Sequence, residues 1–127
     1  MPLVRISLPQ HTTAPDAAAI CSAVHNALVA TFNVPEPDRF QAVHRHSQEE
    51  LVCSPEFLGI KHSAHVVFVQ ISCSPGRSLE MKKALYAKLA LGIADSSSFK
   101  AEDVIINLLE TSRENWSFGS GVAQYAI

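Results

Sequence analysis

Apolar positions along the chain alternate between two periods, and each switch marks an element. Residues 3–8, LVRISL, set Val4, Ile6 and Leu8 on one side of an extended segment, the two-residue period of a strand with one buried face. A helix is expected next. Thr13-Ala14-Pro15-Asp16 has the hydroxyl-to-acid spacing of a helix start, with proline in the first turn where its missing N–H costs little. Ile20, Val24 and Leu28 then recur every fourth residue, widened by Ala17 and Ala27, toward an end near Phe32. Asn33-Val34-Pro35-Glu36-Pro37 stops that helix, and a second strand is predicted within Arg39–His46. A polar connection marked by Pro and Gly covers 47–63. Ala64–Ile71 follows as a nearly continuous apolar run that suits an interior strand. Ser78 opens a second helix with a stripe of Met81, Leu85, Leu89 and Ile93, ended by Asp95-Ser96-Ser97-Ser98, and Val104–Leu109 is the last main strand.

The two series superpose at an offset of 65, which lays Arg5-Ile6-Ser7 on Gln70-Ile71-Ser72 and Asp38 on Asp103. Each half, about 2–46 and about 64–110, reads strand, helix, strand, and an aromatic, Gly-rich segment over 111–127 completes the chain. One half alone cannot cover a two-stranded sheet. Together the halves form a single α/β domain of the α+β kind: a four-stranded sheet with two helices on one face. Strands within a half are parallel, because a helical crossover joins them, whereas the mutual orientation of the halves is left open. The other sheet face lacks a helix. A neighbouring subunit is its economical cover, and a partly solvated sheet is the alternative.

The length of 127 residues fits one domain, and at that size about two thirds of the unfolded surface can be buried. With 47% hydrophobic and 17% charged residues the chain is not of the disordered class, and its net charge of -2 excludes a broad basic surface for nucleic acid. Cys21, Cys53 and Cys73 lack close spacing, so neither a disulfide framework nor a zinc site is suggested. Reduced thiols, no secretory leader and no 18-residue apolar run lead to the expectation of a cytoplasmic protein without a membrane partner.

Several residues invite chemistry. Removal of Met1 would make Pro2 a terminal secondary amine: neutral and proton-accepting when desolvated or beside cations, protonated and electrophilic beside a carboxylate. Its ordinary reading is a strand start that needs no amide. Arg77, after Pro75-Gly76 and before the second helix, suits bidentate grip on a substrate carboxylate, or is an exposed loop arginine. Asp38 fits either a water- or proton-positioning group or a turn cap. The six histidines show no metal spacing, and the cysteines have no local base. Trp116, Phe118 and Tyr125 fit a pocket wall around Gly119-Ser120-Gly121, or the finish of a core or interface.

Taken together, Met-Pro-Leu at 1–3, Asp38-Arg39-Phe40-Gln41, the Arg77 loop, Asn107 with Glu110, and Asn115-Trp116-Ser117-Phe118-Gly119-Ser120-Gly121 followed by Ala123-Gln124-Tyr125 resemble the tautomerase superfamily. Within it, the whole chain resembles the malonate semialdehyde decarboxylases. That resemblance implies a tandem β-α-β fold with a mixed sheet and short extra strands, assembled as a homotrimer around processed N-terminal prolines. It implies a small oxo-acid substrate, no cofactor and no metal. Pro2, as a cation, polarises the carbonyl or forms an imine, Arg77 engages the carboxylate and Asp38 orients the reacting group. The implied reaction is decarboxylation of malonate semialdehyde to acetaldehyde and CO2. Alternatives are keto-enol tautomerisation of 2-oxo acids such as phenylpyruvate by a neutral Pro2, or hydration or dehalogenation of small unsaturated acids. Some members of the group carry two arginines in the loop; here Ser74-Pro75-Gly76-Arg77 has one.

Overall fold

The computed structural model describes residues 1–126. Strand β1 (Leu3–Pro9), helix α1 (Ala14–Phe32) and strand β2 (Phe40–His46) are followed by a short hairpin, β3 (Glu56–Phe57) and β4 (Ile60–Lys61). Strand β5 (Val67–Cys73), helix α2 (Leu79–Ser96) and strand β6 (Val104–Glu110) complete the main sheet, and 3-10 turns occupy Gln48–Glu50, Ala101–Asp103 and Arg113–Asn115. No helix among the described residues is long and apolar enough to cross a membrane.

Both helices begin on a hydroxyl. Thr13 accepts from the Asp16 N–H and Ser78 from the Met81 N–H, each satisfying a donor that has no partner within its helix. Helix α1 ends on Asn33, whose positive φ of 56° turns the chain out of the helix.

The sheet order is β2-β1-β5-β6, parallel in each outer pair and antiparallel at the central seam. Register at the seam sets Arg5 opposite Gln70, its counterpart at the 65-residue offset, so a local twofold axis passes between them. One sheet face, with Val4, Ile6, Leu8, Val67, Val69 and Ile71, packs against Ile20, Val24, Leu28, Leu85, Leu89 and Ile93 of the helices. Arg5, Gln70 and Asn107, with Leu3, Phe68 and Leu109 around them, stand on the opposite face.

Strand β5 begins three residues later than its apolar run predicts and extends to Cys73. Asp103 is the reason. Its buried carboxylate accepts from the Ser63 N–H at 2.8 Å and the Ser63 hydroxyl at 2.6 Å, while the His65 N–H donates to Ser63 Oγ. Those amides are committed to a turn rather than to the sheet ladder.

At the same end, the His65 ring stacks on Phe99 with centroids 3.8 Å apart and on His11 at 5.6 Å. Burial, and secondarily the neighbouring His11, lower the His65 pKa below its ordinary 6.5, against the pull of Asp103 and Asp16. The unfolded chain therefore binds the proton more readily, and this part of the stability is lost as pH falls through about 6.5 toward the folded-state value. Urea unfolding near pH 7.5 and near pH 5.5 is expected to show that loss in the parent and a smaller one in His65→Phe. An identical loss in both would assign it to other groups.

Candidate active site

The beginning of β1 and the ends of β5 and β6 meet at one end of the sheet, where the Thr111 N–H continues the ladder to the Cys73 carbonyl at 2.9 Å. Here the terminal ammonium of Met1 forms an ion pair with Asp38 Oδ2. Asp38 is held by a turn in which its N–H donates to the Pro35 carbonyl at 3.0 Å, and its second oxygen, Oδ1, is buried without a partner. Pro2 follows directly, buried at the entrance to a central strand.

Arg77 reaches the same place from the loop before α2. Gly76, with a φ of 116°, makes the bend that a side chain would resist. The guanidinium donates to the Ser74 carbonyl at 3.2 Å and to the Phe32 carbonyl at 3.3 Å, and lies 4.9 Å from the Phe32 ring centroid. A cation at the carbonyl end of α1 is favoured by the helix dipole. Those two bonds leave the rest of the five-donor fork for another acceptor. Met1, Ser74, Arg77, Ser112, Arg113 and Tyr125 wall one cavity of about 550 Å³.

Arg113 is the residue that sequence reasoning passed over. It opens the 3-10 turn after β6, with its guanidinium 5.2 Å from the Tyr125 ring centroid, a cation-π distance. A lone arginine after a strand carries no pattern to mark it; its position near the terminal amine is purely tertiary. The cavity thus has two guanidiniums although the loop contributes one.

The aromatic residues divide between two spaces. Tyr125 faces the cavity just described, whereas Trp116 and Phe118 line an adjoining one of about 500 Å³ with Leu3, Phe40 and Thr111. Phe118 joins the two groups, stacked on Trp116 at 5.3 Å and meeting Tyr125 edge-on at 5.1 Å. Gln124 pins this segment by accepting from the Phe118 N–H and donating to the Gly119 carbonyl. Thr111 Oγ1 and Trp116 Nε1 are buried there without partners.

Burial raises the thiol pKa of Cys73, with Arg77 opposing, and burial likewise raises those of Cys21 and Cys53, so none is poised as a thiolate. Among the described residues no three His, Cys, Asp or Glu side chains gather as a metal-holding group.

Known proteins share this arrangement of chain. Two family profiles, both described as tautomerase enzyme, match residues 38–119 and 2–61. Probable tautomerase YusQ of Bacillus subtilis (strain 168) is 31% identical over 124 residues, covering 98% of each chain. FG41 malonate semialdehyde decarboxylase inhibited by 3-bromopropiolate superposes with a TM-score of 0.90 at 33% identity, covering 97% of this chain and 93% of its own. A second malonate semialdehyde decarboxylase, solved as wild type, inactivated and with its first-position proline replaced by alanine, and described for decarboxylase and hydratase activities, gives 0.89 at 33% identity, with 97% and 95% covered. Profiles, sequence relatives and fold agree across nearly the whole length, and the chain belongs to the tautomerase superfamily of enzymes.

Proposed function

We propose that the processed chain, beginning at Pro2, decarboxylates malonate semialdehyde or a closely related small 3-oxo acid. The observation that carries this reading is the ion pair of the Met1 ammonium with Asp38, beside a cavity that Met1 and Arg77 wall; removal of Met1 leaves the Pro2 amine as the group nearest that carboxylate along the chain. A carboxylate beside an amine favours its protonated form. A cationic Pro2 then hydrogen-bonds the substrate's aldehyde oxygen while Arg77 holds its carboxylate. The C1–C2 bond breaks, CO2 departs, and the electron pair moves through C2 onto the polarised oxygen as an enol. Protonation at C2 gives acetaldehyde, and water replaces the one proton consumed. Asp38, whose carboxylate holds the Met1 ammonium before processing, is the group to orient the Pro2 ammonium and relay that proton. Tyr125, backed by Phe118, covers one side of this cavity.

Arg77 and Arg113 in the wall that Met1 shares favour a second reading, because nearby cations ease loss of an amine's proton. A neutral Pro2 would shuttle a proton between the enol and keto forms of a 2-oxo acid, as the name of the Bacillus relative suggests. A substrate panel decides between them, run on protein whose mass shows that Met1 is gone. CO2 release from malonate semialdehyde supports the first reading; rapid enol-keto exchange of phenylpyruvate without CO2 release supports the second.

Arg77→Gln is expected to lower kcat/KM by about 10- to 100-fold, the range for losing a hydrogen bond to a charged group. Arg77→Lys, which keeps the charge but not the fork, is expected to recover part of the loss. Thermal unfolding of each variant separates this effect from the contacts with Ser74 and Phe32. The uncovered sheet face, with Leu3, Phe68 and Leu109 exposed or half-buried among polar residues, supports assembly as a homotrimer. Light scattering is expected to give three times the 13.8 kDa chain mass.

A further inference from the structure

The cavity beside the terminal amine carries more positive charge than a substrate with one carboxylate requires. Its volume of about 550 Å³ suits a small ligand, and its walls include both Arg77 and Arg113 but no Asp or Glu. The acids around it are matched elsewhere or face outward. Asp38 pairs with the terminal ammonium, Glu110 pairs with Lys82 at 3.4 Å, and Glu114, next to Arg113, is exposed and outside the wall. Among the described residues neither arginine has a carboxylate partner. With Asp38 and the amine cancelling, two guanidinium charges remain unmatched on one small surface, and a dianion is the ligand that balances them.

The two arginines are held in different ways. Arg77 is tethered by the Ser74 and Phe32 carbonyls, which take part of its donor set. Arg113 opens the turn Arg113–Asn115, and its guanidinium lies 5.2 Å from the Tyr125 ring centroid, a contact that steadies the group while consuming none of its N–H donors. Tyr125 is itself braced edge-on by Phe118 at 5.1 Å. A braced fork with its donors free is suited to a carboxylate.

We propose that Arg113 is a specificity-determining residue that fits this cavity to small oxo dicarboxylates: 3-oxo acids that carry a second carboxylate on the carbonyl carbon, of which oxaloacetate is the four-carbon member. The inference rests on the reading of this cavity as the substrate site and deepens it by naming the substrate class. Malonate semialdehyde has only hydrogen where oxaloacetate has that second carboxylate. Arg77 holds the carboxylate that leaves, and Arg113 holds the one that stays. The C3–C4 bond breaks, CO2 departs from C4, and the electron pair moves through C3 onto the C2 ketone oxygen that Pro2 polarises. One proton, replaced from water, ends on C3 and gives pyruvate. The product keeps the carboxylate that Arg113 binds.

Malate and 3-hydroxypropionate differ by this one carboxylate, and neither has a carbonyl, so both report binding without turnover. Calorimetric titration of the full processed chain is expected to show malate bound at least tenfold more tightly than 3-hydroxypropionate. Arg113→Gln is expected to bring that ratio close to one, and Arg113→Lys to recover part of it, with unfolding temperatures that match the parent because the side chain lies on an exposed turn. Arg77→Gln is expected to weaken both acids while malate keeps most of its advantage. Equal affinities in the parent, an advantage undiminished in Arg113→Gln, or a fall as large in Arg77→Gln would each overturn the assignment. CO2 release from oxaloacetate above the uncatalysed rate is expected as well, with kcat/KM about 10- to 100-fold lower in Arg113→Gln. Turnover of malonate semialdehyde but not of oxaloacetate would overturn the dicarboxylate class. Turnover of neither, with the malate preference intact, would overturn decarboxylation and support the Arg113 contact.

Discussion

Pro2→Ala is expected to lower turnover of the best substrate by about 10²- to 10⁴-fold, the range attributed to a positioned acid or base. Both proteins must first be shown by mass to have lost Met1, because an acylated nitrogen has no proton to give or take. Alanine keeps an amine at the same place in the chain, so a cation for Asp38 is available in both proteins and the overall charge is unchanged. What disappears is the secondary amine and the ring that fixes its direction at the start of β1. The loss is therefore expected mainly in kcat, with KM, which the proposed mechanism assigns to Arg77 and the walls, changing less. Parent-like turnover in the processed variant would remove Pro2 from the mechanism while leaving the cavity and its arginines as a binding site.

The largest effect on stability is expected from Leu89→Ala. Leu89 is fully buried on α2 within the cluster shared by both helices and the sheet, and truncating such a leucine costs about 2 to 5 kcal/mol. That is a large share of the roughly 5 to 15 kcal/mol that holds a domain of this size together. Leu91, two residues on and 60% exposed, is the control: its replacement by alanine is expected to stay within about 0.5 kcal/mol. Denaturant midpoints for the pair measure the difference, and equal midpoints would mean that the helix is rotated from the orientation described.

How far the sequence carries can be read from particular residues. Thr13, Pro15 and Ser78 mark their helix starts because capping is local chemistry, and the spacing of Leu85, Leu89 and Ile93 follows from the helical period alone. The antiparallel seam is not local: it depends on Arg5 meeting Gln70, which neither half specifies by itself. The start of β5 was obscured for the same reason, since the carboxylate that takes the Ser63 amide is 40 positions away. At the candidate site, Asp38 and Arg77 stand out by their turns and by resemblance. Arg113 becomes significant once the chain after β6 bends over Tyr125, and the division of the aromatic residues between two cavities depends on that same bend.

The seam also bears on the order of events when the chain folds. Each parallel pair closes through its own crossover, from Leu3 to Phe40 in one half and from Val67 to Val104 in the other. The seam instead joins residues as far apart as Leu3 and Ser72. Loop-closure entropy grows only with the logarithm of separation, about 0.6 kcal/mol per doubling, so the longer closure is barely more demanding than the shorter ones. An isolated half, by contrast, would leave a two-stranded sheet edge and most of one helix face in water. Collapse of both halves onto the seam in one cooperative step is the expected course, with single-exponential refolding and a rate set by these non-local pairings.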